Sequence, residues 1–222
     1  MPAHPPIFRP ALVLFAILSV ITGIVYPLAI TGVAQVAFAD KANGSIVAAA
    51  GGKVVGSALI GQEFGTSDPT AAPGLAKWFW GRPSATGPTP YTSLNLDKGA
   101  GSSGSNLAPT NPALLENAKA RLAALDAADA SVGIVRVRSG TQSRTTPVPL
   151  DLVTSSASGL DPHISPAAAE YQVPRVASAR GMDEGRMRTL VRRCTEGRTL
   201  GVLGEPVVNV LALNRALEAA RR

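Results

Sequence analysis

The chain has 222 residues, a net charge of +6, and 45% apolar but only 5% aromatic side chains. Its one cysteine, Cys194, excludes an internal disulfide and a cysteine-based zinc site. Two histidines, His4 and His163, leave little for metal or base chemistry, and alanine, valine and leucine must fill the core.

From Ala11 to Ala39 the chain carries no charge. As a helix this run reaches about 43 Å, enough to cross a hydrocarbon layer of about 30 Å, with Pro27 as a place to kink. Ala37-Phe38-Ala39 behind Arg9 also fits a cleaved export signal. Apolar cores of such signals run only about 7–15 residues, so length favours an uncleaved anchor. A buried core helix would show a polar face, and this segment shows none. The sequence therefore divides into a cytoplasmic tail (1–10), a transmembrane helix (11–39) and a soluble domain (40–222). Arg9 against Lys41 and Lys53 nearly balances the positive-inside comparison. The short tail favours a cytoplasmic N-terminus. Ala16, Ser19, Gly23 and Tyr26 recur at helical steps and place small residues on one face, suited to close helix approach in lipid.

A Gly/Ala spacer (Lys41–Gly52) leads to VVGSALIG, a β-prone run ending near Gly61. KWFWGRP (77–83) holds both tryptophans and reads as a short strand or packed turn. Residues 84–109 are rich in Gly, Ser, Thr, Pro and Asn and read as loop. Within them, Gly99 to Gly104 matches G-x-G-x-x-G, but no strand precedes it and no helix opens at its end. Asn111-Pro112 is an N-cap followed by proline at the first helical position. The apolar stripe Leu114, Leu115, Ala118, Leu122, Leu125 carries that helix to about Ala128. VGIVRVRS (132–139) reads as a strand, and 140–147 as a polar breaker. Ser165-Pro166 repeats the capping signal, with Pro174 as an interruption. A further helix spans about Asp183 to Glu196, with Met187, Leu190, Val191 and Cys194 on one face and Gly197 placed to stop it. Glu205-Pro206 opens a last segment read as mostly helix.

Residues 171–222 carry 10 basic and 5 acidic side chains, and those before them 11 and 10. Without aromatic interleaving or a recognition helix, this basic end fits an acidic lipid surface or partner, or a solvated face, better than nucleic acid. For nucleophilic catalysis His163 is the available base, with Asp161 and Ser165 nearby; neither a G-x-S-x-G elbow nor S-x-x-K is present. The competing structural reading has Asp161 and Ser165 capping a turn and the following helix.

The motifs GSALIGQEF (56–64), FWGRPSAT (79–86), GSSGSNLAPTNPALL (101–115), VPLDLVTSSASGLDPHISPAAAEYQVPRVASARG (148–181) and TEGRTLGVLGEPVVNVLALN (195–214) are similar to the C subunit of the Kdp-type potassium-transporting ATPase. The resemblance runs nearly end to end, although 127–146 looks like an insertion. It implies an α/β architecture: a single N-terminal transmembrane helix followed by one compact mixed α/β extracytoplasmic domain, held at the cell inner membrane with the domain in the periplasm. It further implies an accessory, non-catalytic subunit of a high-affinity, ATP-driven potassium uptake complex. That family member is needed for assembly and raises the nucleotide affinity of the P-type ATPase subunit. The other partners implied are a channel-like potassium-binding subunit, a small single-span subunit and the lipid bilayer. ATP and potassium are handled by the complex, with no cofactor or metal on this chain. Expected partner-facing residues fall in three groups. Ser19, Gly23 and Tyr26 lie in the membrane. Arg82, Ser103, Asn106, Thr110 and Asn111 form one block of the domain, and Asp161, His163, Ser165, Gln172 and Arg175 the other. The alternative activity is that of a membrane-anchored extracytoplasmic hydrolase using His163.

Overall fold

A computed structural model describes residues 7–49, 51–86, 91–92, 94–95, 100–136 and 146–220. The chain divides into two compact units, Met1–Val55 and Gly56–Arg222.

The first unit begins with a continuous helical rod of 30 residues, Phe8–Ala37, about 45 Å long and with no buried residue. Its exposure on every side removes the reading as a soluble core helix, since such a helix hides one face. The rod is α1 (Phe8–Val20), a π-helical turn (Ile21–Val25) and α2 (Tyr26–Ala37). Proline at 27 has no N–H to offer and crowds the carbonyl one turn back, which is that of Gly23. The helix widens there, and the Tyr26 N–H reaches the Ile21 carbonyl instead of its usual partner. Ser19, Gly23 and Tyr26 straddle this turn, so the face read from an unbroken 3.6-residue repeat does not pass through it unchanged. After the rod come a single turn, α3 (Ala39–Ala42), and a two-stranded sheet of β1 (Ile46–Ala48) and β2 (Val54–Ser57). The β-prone run 54–61 thus stops four residues short of Gly61.

In the second unit, β3 (Leu94–Asn95) and β4 (Ala100–Gly101) form a short antiparallel ladder. This corrects the reading of 84–109 as loop with no strand before the G-x-G-x-x-G run: β3 precedes the run and β4 lies within it, although no helix opens until α4 (Pro112–Ala130). The first glycine of the run, Gly99, lies outside the described residues. Then follow β5 (His163–Ile164), α5 (Pro166–Arg180), α6 (Glu184–Arg193), β6 (Thr195–Glu196), β7 (Val207–Asn209) and α7 (Val210–Ala219). The antiparallel sheet order is β5-β7-β6, with Ile164 opposite Val208 and Thr195 also opposite Val208 on the other side. Helices start where a polar side chain closes their first turn. Asn111 accepts from the Ala113 N–H, Ser165 from Ala168, Asp183 from Arg186, and Asn209 from Ala212.

Four further expectations are corrected. Helix α5 continues through Pro174, because Tyr171, Gln172, Val173, Arg175, Val176 and Ala177 are all buried around it. That packing outweighs a proline penalty of about 3 kcal/mol. Helix α6 ends at Arg193, ahead of Gly197, because Thr195 and Glu196 pair with β7. The last segment opens as strand β7 before it becomes helix. Of 132–139, residues 132–136 hold no strand and the rest lie outside the described residues, as do 140–145 of the polar breaker.

Residues 77–83 also form no strand, although Phe79 and Trp80 are fully buried. Their backbone hydrogen bonds go to two side-chain amides. Asn214 on α7 accepts from the Phe79 N–H (3.0 Å) and donates to the Phe79 carbonyl (2.9 Å). Gln172 on α5 does the same for Trp80, at 2.7 and 3.0 Å. Gln172 also donates to the Ala168 carbonyl and accepts from Arg175, so its amide has no capacity left. Each carboxamide acts as a one-residue substitute for a neighbouring strand.

Truncating either amide strands a buried N–H and a buried C=O. Asn214→Ala and Gln172→Ala should each cost about 2–4 kcal/mol, while the exposed Asn43→Ala should change stability by less than about 0.5 kcal/mol. Urea unfolding of the detergent-purified chain measures all three.

Candidate interaction face and its buried arginine scaffold

Arg82 follows the clamped segment and gathers the loop before β5. It donates through Nη2 to the Ser155 carbonyl at 2.9 Å and through Nε to that of Thr154 at 3.4 Å. Its Nη1 pairs with Asp161 Oδ2 at 3.4 Å. The other Asp161 oxygen accepts from the His163 backbone N–H at 2.9 Å and lies 3.5 Å from His163 Nδ1. Burial alone would raise the Asp161 carboxyl; the His163 hydrogen bonds and the Arg82 charge outweigh it and hold the group below its ordinary 3.8. Arg82, Asp161 and His163 are all half-buried, so this cluster reaches the surface.

Close backbone approaches weld the neighbouring loops to it. The Tyr91 hydroxyl donates to the Arg82 carbonyl, and burial pushes that phenol up to about 12. Ser84 Oγ donates to the Gly159 carbonyl at 2.6 Å and accepts from the Tyr91 N–H at 3.0 Å. A side chain at Gly104 would meet the Ala157 carbonyl at 2.7 Å. One at Gly159 (φ +68°) would meet the Ser103 carbonyl at 2.5 Å and Thr86 Cγ2 at 2.6 Å. A cavity of about 210 Å³ opens beside Arg82, lined among others by Gln62, Glu63, Tyr91 and Arg121. Burial raises the Glu63 carboxyl there, against the opposing charge of Arg121.

Beneath this face lie arginines that the core has swallowed. The guanidinium carbons of Arg121 and Arg175 each sit 4.8 Å from the Trp80 ring centroid. Arg121 donates to the carbonyls of Leu152 (3.1 Å), Thr66 (2.5 Å) and Gly81 (2.9 Å). Arg175 donates to those of Ala76 (2.7 Å) and Trp78 (3.0 Å). Desolvation lowers both guanidinium groups to about 10. Buried Asp129 neutralises part of this charge, with Arg136 Nε at 2.5 Å and Arg175 Nε at 3.3 Å. Its carboxyl is nevertheless raised, because burial outweighs the two cations. Arg136 also stacks 3.9 Å from the Tyr171 ring, and Arg180 4.6 Å from that of Trp78.

The residues singled out from sequence therefore separate. Arg82, Asp161 and His163 come together at the surface, and the Ser103 backbone joins the same knot. Asn106, in a left-handed turn (φ +50°), and Thr110 lie exposed on the loop ahead of α4, and exposed Asn111 caps that helix. Ser165 caps α5, and its own N–H goes to Asp151 at 2.7 Å. Among the described residues no serine or threonine hydroxyl is bonded to His163, and Ser165 Oγ is committed to the cap. Gln172 and Arg175 are wholly buried and present no surface to a partner. Sequence reasoning missed Arg121, which occupies a buried position of α4 together with Ala124, Leu125, Ala128 and Asp129. Its signal was a charge four residues before Leu125 and three after Ala118, on the apolar stripe. Among the described residues no cluster of His, Cys, Asp and Glu could hold a metal.

Residues 8–219 match the family model described as KdpC, the K+-transporting ATPase c chain. The chain belongs to the KdpC family. Among its relatives is a potassium-transporting ATPase KdpC subunit of Sorangium cellulosum, 54% identical over 96% of this chain and 97% of the relative. That of Ralstonia nicotianae is 53% identical over 97% and 92%, and that of Dechloromonas aromatica 50% identical over 97% and 98%. The match takes in the apolar rod as well as the folded unit.

Two predictions concern the surface cluster. Gly159 and Gly181 are both left-handed, but only Gly159 lacks room for a side chain. Gly181→Ala should therefore cost about 1 kcal/mol, and Gly159→Ala at least twice that, in thermal unfolding of the purified chain. Asp161 is depressed when folded, so its contribution is complete above the ordinary 3.8 and fades as pH falls through the folded-state value. Asp161→Asn should lower stability at pH 7 and flatten the acid limb of the stability–pH curve.

Proposed function

We propose that this chain is the accessory, single-span subunit of an ATP-driven potassium uptake complex. The family match over residues 8–219, rod included, carries this reading. The rod lies in the cell inner membrane with its N-terminus in the cytoplasm, and the folded unit stands on the periplasmic side. Its partners are the channel-like potassium-binding subunit, the P-type ATPase subunit and the small single-span subunit. The Arg82–Asp161–His163 cluster faces the channel-like subunit.

The chain holds no catalytic residue and no cofactor of its own in this reading; ATP and potassium belong to the complex. Its effect on the nucleotide affinity of the ATPase subunit passes through the span. A domain on the outer face cannot touch cytoplasmic ATP, so the two sites share only a coupling free energy. The π-helical turn at Ile21–Val25 is the place in the rod where such coupling has a local structural element to act on.

Tagged chain purified in mild detergent should bring the ATPase and channel-like subunits with it; failure to do so overturns the subunit reading. His163→Ala should leave growth on limiting potassium within about twofold of wild type. Abolished transport by a normally assembled complex would return the hydrolase reading. In a Cys194→Ser background, Thr110→Cys should react with an impermeant maleimide on intact spheroplasts. Labelling only after lysis would reverse the orientation.

A further inference from the structure

The middle of the rod carries a backbone carbonyl that the helix itself does not satisfy. In a regular helix the Tyr26 N–H pairs with the Thr22 carbonyl, and here it pairs with that of Ile21. The next N–H along, which a π turn would offer to Thr22, belongs to residue 27, and proline has none. The Thr22 carbonyl is thus left without either helical donor. Its own side chain does not help, because the Thr22 hydroxyl donates to the Leu18 carbonyl at 2.8 Å. Gly23 leaves the place uncovered, with no atom near the position of an added side chain. Tyr26 adds a second polar group one turn on. Its side chain is 63% exposed and, as in helices generally, leans back toward the preceding turn. Among the described residues its hydroxyl has no hydrogen-bond partner.

Depth makes this arrangement costly in lipid. Thr22 and Gly23 are the two middle residues of the 30-residue rod. Centred in a hydrocarbon layer of about 30 Å, they lie about 15 Å from either headgroup layer. Water does not reach a carbonyl there, and lipid chains have no donor to give it. Proline at 27 therefore burdens a rod wrapped in lipid and suits one that meets protein at this turn.

We infer that the π turn is a hydrogen-bond acceptor site at the bilayer midplane, filled by a donor group of the channel-like potassium-binding subunit. The inference rests on the subunit reading above. It adds the atom that is recognised, the Thr22 carbonyl, with the Tyr26 hydroxyl as a second contact. Donor chemistry chooses the occupant. A solitary span, such as that of the small subunit, carries a mid-membrane donor only by facing it to lipid before assembly. The reacting groups of the ATPase subunit lie at cytoplasmic nucleotide, outside this layer. Potassium passes through the channel-like subunit, so its spans hold polar side chains and non-helical backbone at this depth, supported by their own neighbours.

The sequence supplies a direct readout. Thr-Gly occurs at 22–23, 31–32 and 86–87. A chain labelled with 13C at threonine carbonyls and 15N at glycine therefore gives three carbonyl–nitrogen resonances, assigned by Thr22→Ser and Thr31→Ser. For the chain alone in bilayers, Thr22 should resonate upfield of Thr31, which lies within α2, and should move downfield when the complex assembles. Pro27→Ala returns the Tyr26 N–H to Thr22 and should give the downfield position in the chain alone. It removes the free acceptor while making a more regular helix. The complex formed with it should lose the channel-like subunit about tenfold faster on dilution in detergent, and that formed with Tyr26→Phe about threefold faster. With p-benzoylphenylalanine in place of Tyr26, light should crosslink the chain to the channel-like subunit. A Thr22 resonance that does not move on assembly overturns the inference, as does wild-type dissociation of the Pro27→Ala complex. A shift already complete in the chain alone also overturns it, since water or a second copy is then the donor. So does crosslinking to the ATPase or small subunit instead. If wild-type chain brings no other subunit, the subunit reading itself fails and the inference with it.

Discussion

The pairing of two buried carboxamides with the backbone of Phe79 and Trp80 is the constraint on which the folded unit turns. An extended residue points its N–H and C=O to one side and the next residue points them to the other. Asn214 of α7 takes one side and Gln172 of α5 the other, so the segment is held between two helices as a strand is held between strands. Breaking either pair leaves two polar groups in a place water does not reach. The same clamp fixes the rotation of α5 and α7, because each amide must face the segment. From α5 it then positions Arg175, one turn beyond Gln172.

Fixing Trp80 creates a surface that the rest of the core is built on. With so few aromatics, the indole is covered on account of its charge affinity as much as its area, by Arg121 from α4 and Arg175 from α5. Two guanidinium groups so close together are costly to desolvate, and their lowered pKa values express that cost. It is offset by carbonyls from segments that have no regular partner: Thr66, Ala76, Trp78, Gly81 and Leu152. Arginine thereby replaces secondary structure as the means of satisfying loop backbone. Five donors on a planar fork make it suited to this, where a lysine would serve fewer strands of chain.

This explains what the sequence disclosed and what it hid. Helix starts were legible because capping is local: Asn111 and Ser165 lie within three residues of the N–H groups they accept. The Asp161 turn was legible for the same reason, and it carried half of the surface cluster. Arg82, its other half, is 79 residues away, and only the family motifs join both blocks in one expectation. Residues 77–83 read as a strand or packed turn because their composition is that of a buried strand. Their partners lie 92 and 135 residues away and are side chains, which no periodicity announces. Pro174 misled in the opposite sense, since a local penalty was outweighed by tertiary burial. Gln172 and Arg175 stand out through the family motifs, but motif membership does not distinguish a residue that meets a partner from one that holds the core.

The surface around Arg82 shows why a Gly- and Ser-rich composition need not mean a loose loop. Glycine at 104 and 159 lets backbones approach to distances a side chain would forbid, and short hydroxyls such as Ser84 then bridge them. The flexibility that glycine confers on an unfolded chain is spent in the folded one on closeness. A face made this way loses little entropy on meeting another protein, so modest contacts suffice for lasting association.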